Sequence, residues 1–393
     1  MTLRIVIAPS GFKESLSAEE VADCIAIGVR RALPEADICK APLVDGGEGF
    51  TRGLVAATEG SLHSILVTGP INQPVQAHFG FLGGSGPRTA VIEMAAAAGL
   101  RLVPSNARNP LLTTTFGVGE LIRAALDAGA ERILIGCGDS GTNDGGAGAA
   151  QALGVRLLDA NGNELGRGGG ELARLAHIDM AGRDARLAQV QIDVACNWHN
   201  VLCGPKGVAR VFGPQKGASP EVVEQLANSL EHYAEVIAQQ LGFDVRFAPG
   251  TGASGGLGAG LQALLGATLH PRYDIVMQYL ELDHLLEEAD LIVTAEGGLD
   301  FQTPRGKIPT EVARRARQHH VPVIAFAGTI GRGAEVNYAY GIDSFSSILE
   351  SPCTLSDAID NAAELLIHAA ERTMRMILVG QKMAHAAPFA LAT

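Results

Sequence analysis

The run ERILIG passes directly into CGDSGTNDGGAG, residues 137 to 148, where five glycines, two aspartates, an asparagine, a serine and a threonine share twelve positions. A strand-like apolar stretch ending in bare backbone, hydroxyls and carboxylates leaves few folds open, because this is how parallel α/β sheets present ligand-binding ends. The pattern recurs. LVDGGEG (43 to 49) follows a second apolar run, TAEGGLDFQTPRGK (294 to 307) ends a third, and GTGASGGLGAG (250 to 260) stands before an apolar helix.

The rest of the chain supports an α/β protein. LRIVIAP reads as a buried strand, Ser17 and Glu20 form an S-x-x-E capping box, and Val21, Ile25, Val29 and Leu33 share a helix face before the strand ADICKAPL. DLIVTAEG, PTEVARRARQ and VPVIAFAG repeat strand, helix, strand near the other end, whereas SLHSILVTGP and QPVQAHFGFL alternate as antiparallel strands do. With 393 residues, two domains are expected: one built from residues 1–65 and 286–380, with a mixed α/β domain, 66–285, inserted, and a frayed tail or contact arm at 381–393. A helix is predicted from Ser219-Pro220 through Leu241 to a stop at Gly242, and a last one over 355–379.

A formal charge of -12 without a Lys/Arg cluster argues against nucleic acid as a partner. Six scattered cysteines fit reduced thiols, and the opening MTLRIVIAPSGF is too short for a signal core or a membrane span, so a cytoplasmic protein with no membrane partner is expected. There is no G-x-x-x-x-G-K-[ST] and no H-R-D or D-F-G set.

Three readings of the glycine loop compete. Gly136, Gly138 and Gly141 match G-x-G-x-x-G, with Asp159 near the ribose-binding position of a dinucleotide fold. Alternatively, the loop is a plain turn in which Asp144 caps the helix of AGAAQALG. Or it is a phosphate cradle, with glycine amides and the Ser and Thr hydroxyls on anionic oxygens and aspartates on a divalent metal. Cys196, His199 and Cys203 tempt a zinc reading but lack a fourth ligand. Glu93 either lines a cleft or accepts backbone N–H groups at a helix start, and His319-His320 reads as a helix end.

TNDGGAG, DGGEG, VFGPQKGA, GASGGLGAG and the E-G-x-x-D-x-Q-T-x-x-G-K segment, in an order that spans nearly the whole chain, resemble the bacterial glycerate kinase family, which is unrelated to P-loop kinases. The resemblance implies a Rossmann-like or flavodoxin-like parallel-sheet domain built from both chain ends, a second mixed α/β domain inserted in it, and an active site in the cleft between them. It also implies transfer of the γ-phosphoryl group of ATP, with Mg2+, to a hydroxyl of D-glycerate, giving 2-phosphoglycerate. On this reading Asp300 is the candidate base and Asp144 the second, with Asp45 and Lys13 also catalytic and Asp45 and Asp144 holding metal. Ser140, Thr142, Asn143, Gly145, Gly146, Lys216, Gly255, Gly256, Glu296 and Lys307 are the nucleotide-side candidates. Gly46, Gly47, Glu48, Asn197, Trp198, Gln302 and Thr303 are the substrate-side candidates.

The chain departs from the family pattern at Ser10-Gly11, at Asp139 and Gly141 around Ser140, at Asn197 where an aspartate is usual, and at Gly298 where an arginine is usual. Loss of a forked donor and of a carboxylate leaves three outcomes open: the same substrate, a related hydroxy acid or larger hydroxylated molecule stacked on Trp198, or a binding protein without chemistry. A homodimer is an expectation drawn only from the apolar final helix.

Overall fold

The structure is a computed structural model that describes residues 3–12, 15–44 and 46–386; Lys13 and Asp45, both candidate catalytic residues, lie outside the described residues. The chain divides into two compact units, Met1–Val44 with Met277–Thr393, and Asp45–Val276. In chain order the strands are β1 (Arg4–Ile7), β2 (Asp37–Lys40), β3 (Ser61–Thr68), β4 (Pro74–Phe81), β5 (Thr89–Glu93), β6 (Arg132–Gly136), β7 (Arg156–Leu158), β8 (His177–Asp179), β9 (Gln191–Cys196), β10 (Thr268–Pro271), β11 (Leu291–Leu299), β12 (Val323–Ile330) and β13 (Ser344–Ser347).

The unit made from both chain ends holds a parallel sheet in the order β13-β12-β11-β1-β2. Counted within the unit this is 2-1-3-4-5, the flavodoxin-like order, whose direction of winding reverses between β1 and β11. Both faces are covered, which is why Ile5, Val6, Ile7, Ile292 and Val293 form unbroken apolar runs with no exposure. The helix Ala18–Ala32 starts at the predicted capping box: the Ser17 hydroxyl accepts from the Glu20 amide, and the Glu20 carboxylate accepts from the Ser17 amide at 2.8 Å. Val21, Ile25 and Val29 then bury against Leu366, Ala370 and Met374.

The predicted last helix is two helices, Leu355–Asp360 and Ala362–Ala386, and the second runs to Ala386, into the first residues of the segment expected to fray, whose remainder lies outside the described residues. Gly380 alone does not stop it, because Gln381, Lys382 and Met383 are good helix formers.

The larger unit has a six-stranded mixed sheet, β10-β9-β6-β5-β4-β3, and a small β7-β8 pair. β3 and β4 are the antiparallel hairpin read from their alternation, while β5, β6, β9 and β10 run parallel. The division falls at 44/45 and 276/277 rather than at the expected 65/66 and 285/286. Residues 45–65 belong to the larger unit, since β3 pairs with β4 from Ser61 to Thr68 and Val55 of the preceding helix lies against Gly80 of β4. The helix Pro220–Leu241 begins at Ser219, ends at a left-handed Gly242, and buries Leu226, Leu230, Tyr233 and Ile237.

Candidate active site

In the larger unit, three glycine-rich segments far apart in sequence come together at the end of β6. A Cβ on Gly138 would lie 2.6 Å from the Gly47 Cα, so the 46–49 loop and the 137–146 loop touch backbone to backbone. Gly255, at φ +72°, sits so close to the same loop that a Cβ would be 1.9 Å from the Thr142 carbonyl oxygen. Asp139, itself left-handed at φ 49°, ties the first two loops together by accepting the Glu48 amide at 3.0 Å. Beneath them Glu93 ends β5 at 1% exposure, and its Oε2 accepts the Thr51 amide at 3.0 Å. Glu93 thus accepts backbone N–H groups at a helix start, but of the helix Phe50–Ala57 rather than of the alanine run that follows it. Burial pushes its carboxyl above the usual range, and the amide bonds oppose that.

Asp144 does not have the surroundings of a base or a metal ligand. It has no solvent exposure; Oδ2 accepts from the Thr115 amide at 2.7 Å, the Thr115 hydroxyl at 2.9 Å and the Gly148 amide at 3.3 Å, and Oδ1 accepts from the Gly146 amide at 3.2 Å. The carboxylate therefore closes the start of the six-residue helix Ala147–Ala152 together with the Thr115 hydroxyl, which accepts the Ala149 amide at 3.1 Å, in the manner of the turn reading. The Gly145 amide donates to the Gly255 carbonyl at 3.1 Å, so neither it nor the Gly146 amide is left for a phosphate. Gly145, Gly146, Gly255 and Gly256 all stand at positive φ in close packing, and the Gly256 amide donates to the Gly252 carbonyl at 3.3 Å. Asp144 does not fit Mg2+, and among the described residues no group of three His, Cys, Asp or Glu side chains could hold a metal ion. Sequence reasoning missed Thr113, Thr114 and Thr115, all buried; the Thr113 hydroxyl donates to the Gly141 carbonyl at 3.0 Å. A threonine triplet directly before an apolar helix was the available signal.

Lys216 lies at 2% exposure, and its ammonium donates to the Ser140 hydroxyl at 2.9 Å, the Thr142 carbonyl at 2.6 Å and the Asn143 Oδ1 at 3.0 Å. Burial lowers its pKa to about 7, with Asp144 pulling the other way. The Thr142 Oγ1 and the Asn143 Nδ2 are buried without a hydrogen-bond partner. An unpaired buried polar group costs about 1–3 kcal/mol, so these two adjacent groups are free to bond a ligand.

Asn197 uses its Oδ1 to accept the His199 amide at 3.1 Å in a local turn, and Trp198 is 37% exposed beside Gly250. Glu48 reaches the Arg101 guanidinium at 3.0 Å. Asp159 accepts the Asn161 and Asn163 amides, both at 2.9 Å, and pairs with Arg174, so it closes its own turn rather than awaiting a ribose. Cys196 donates to the His270 carbonyl at 3.4 Å, and burial raises its thiol to about 12.

The unit built from both chain ends gathers a second set of candidates. At the β1/β11 reversal the Ser10 amide and hydroxyl both donate to the Ala295 carbonyl, at 2.8 and 3.0 Å. One residue on, the Lys307 ammonium stands 3.6 Å from Glu296 Oε1 and 4.0 Å from Asp300 Oδ1 and donates to the Gly298 carbonyl at 3.1 Å. Asp300 is held in a turn: its amide donates to the buried Thr303 hydroxyl at 3.0 Å, and its Oδ1 accepts the Gln302 amide at 2.8 Å. Glu296, Asp300, Gln302, Thr303 and Lys307 are therefore neighbours.

Compared with known proteins, residues 5–378 match the sequence model of the glycerate kinase family. The chain is 50% identical to a glycerate kinase of Bacillus subtilis (strain 168), over 97% of this chain and 98% of that one. It is 47% identical to a glycerate 2-kinase of Escherichia coli (strain K12), over 97% and 100% of the two chains. A crystal structure described as a glycerate kinase 2, from Salmonella typhimurium LT2, superposes with a TM-score of 0.87 at 48% identity, covering 97% of this chain and 100% of that one.

Proposed function

Since the chain belongs to the glycerate kinase family, and is thus a kinase that passes phosphate to a hydroxyl of a small molecule, we propose that it transfers the γ-phosphoryl group of ATP to D-glycerate, giving 2-phosphoglycerate. The observation that carries this reading is the full-length likeness to glycerate kinases at about half identity, which takes in every loop that builds the candidate site. The Asn197 departure does not oppose it, because that side chain is engaged in its own turn.

Phosphoryl transfer asks a protein mainly for positioning and for charge opposite the transferring group. Asp300, oriented by the Gln302 amide, takes the proton from the attacking hydroxyl. Lys307 offsets charge building on the phosphate, while Glu296 holds its ammonium in place. Ser140, Thr142 and Asn143 offer hydroxyl and amide donors to an anionic oxygen. A magnesium ion would arrive on the nucleotide and screen its phosphate charge. We also propose a cytoplasmic setting: all six cysteines are unpaired, and among the described residues no helix is long and apolar enough to cross a membrane.

The test is ATP consumption against a panel of small hydroxy acids, with the product examined by phosphorus NMR. Turnover on D-glycerate with phosphate on the 2-hydroxyl is the expected result. Turnover on another hydroxy acid alone would move the substrate, and no turnover on any would end the kinase reading.

A further inference from the structure

We propose that Lys216 is a positioning residue that sorts the polarity of the 140–143 segment, turning its acceptors inward and presenting Asn143 Nδ2, with the hydroxyls of Ser140 and Thr142, as a donor set for one anionic oxygen pair of a bound ligand. The inference rests on the kinase reading only for the identity of that ligand.

The argument begins with what an ammonium can do. Lysine has three donors and no acceptor, so each group facing it must accept. Three groups face Lys216: Ser140 Oγ, the Thr142 carbonyl and Asn143 Oδ1, all within 3.0 Å. The orientation of the Asn143 amide follows without ambiguity. Its oxygen faces the ammonium, so its NH2 faces away, and there Nδ2 has no partner. The Ser140 oxygen likewise accepts from Lys216, which leaves its O–H to donate elsewhere, and the Thr142 hydroxyl is unpartnered as well. Every group the segment has to spare is a donor, or in the case of a hydroxyl can act as one. A carboxylate or a phosphate, both acceptor-only and anionic, fits that set, and the ammonium directly behind it adds charge of the right sign. A metal cation does not fit.

The segment cannot relax out of this arrangement. Gly255 abuts the Thr142 carbonyl and the Asn143 Cα, the Gly169 position abuts the Asn143 carbonyl, and the Thr113 hydroxyl fixes the Gly141 carbonyl. Two unpaired donors held this firmly are what a prebuilt anion site looks like before its ligand arrives. In the described state they are closed to solvent, so ligand entry requires the segment's cover to open.

Two sources share this chemistry, the carboxylate of a hydroxy acid and the phosphates of ATP, and they are separated by measuring each ligand alone. The deciding variant is Asn143→Asp. It keeps an acceptor for Lys216, now as a charged pair, and deletes the NH2. We expect its melting temperature to hold or rise, and its affinity by calorimetry to fall about 10- to 100-fold for one of D-glycerate or ATP, whichever supplies the anion, since a hydrogen bond to a charged group is lost. Lys216→Met should weaken the same ligand, raising its KM more than it lowers kcat. A loss confined to D-glycerate assigns the carboxylate and one confined to ATP assigns the phosphate; both support the proposal. If Asn143→Asp binds both ligands as tightly as the unaltered chain, or melts several degrees lower, the proposal is wrong. Because binding is read directly, an unaltered chain that fails to turn over while Asn143→Asp still weakens one ligand would overturn the kinase reading and leave this inference standing.

Discussion

Lys216 and Lys307 each gather three acceptors, but under opposite conditions. Lys216 does so at 2% exposure with three uncharged oxygens at 2.6–3.0 Å, whereas Lys307 keeps a third of its side chain in water and faces two carboxylates at 3.6 and 4.0 Å and one carbonyl. The buried lysine is locked to its loop and carries a desolvation cost that its three acceptors and Asp144 offset only in part; the exposed one sits in loose ion pairs worth about 0–1 kcal/mol, which can re-form around a ligand. One region is organised before binding and the other can adapt.

The comparison can be broken most decisively at Asp300. If the adaptable region contains the base, Asp300→Asn lowers kcat about 10²- to 10⁴-fold in a steady-state assay with a melting curve close to that of the unaltered chain. An intact kcat would reduce that region to ordinary surface. In the rigid region, Gly255→Ala forces a Cβ to within 1.9 Å of a carbonyl oxygen at a left-handed position and should cost roughly 3 kcal/mol by denaturant unfolding, with activity lost in parallel. A cost under 1 kcal/mol would mean the loop yields more easily than its contacts imply.

The pH dependence sharpens the contrast. Lys216 titrates near pH 7 when folded and near 10.5 when unfolded, so between those values the unfolded chain binds the extra proton. Stability relative to Lys216→Met should therefore rise with pH across that window, by at most about 1.4 kcal/mol per pH unit, and flatten below pH 7; a falling or flat difference from pH 7 to 10 would contradict the lowering of the lysine's pKa by burial. The smallest effect belongs to the surface: Arg101→Ala breaks only the pair with Glu48, whose partners are both about half exposed, and should shift stability by about 0–1 kcal/mol in a urea titration.

Much of the fold was legible because it rests on local chemistry. Branched apolar runs buried on both faces mark β1 and β11, alternation marks β3 and β4, and the Ser17–Glu20 box sets a helix start to the residue. The domain border was not legible to the residue, because what assigns residues 45–65 is a pairing of β3 with β4 that no single segment displays. At the site, the loops that matter could be named from their glycines, but not the use each atom is put to. Asp144 and Lys216 have the residue types of a metal ligand and a phosphate clamp, and only their neighbours reveal that the first caps a helix start and the second orients a loop. The threonines at 113–115 went unread for the same reason: a hydroxyl announces nothing until its partner is known.

The strand order of the unit built from both chain ends bears on how the protein is made. β1 and β2 leave the ribosome first, yet the neighbour that shields the other edge of β1 is β11, which pairs Ile5 with Leu291 and is synthesised only after the whole of Asp45–Val276. A growing chain must keep an apolar, half-paired ribbon out of trouble while the later-born but contiguous unit completes itself, so nascent-chain aggregation should begin at the amino terminus, and chaperone demand should end only when residues beyond Leu299 emerge.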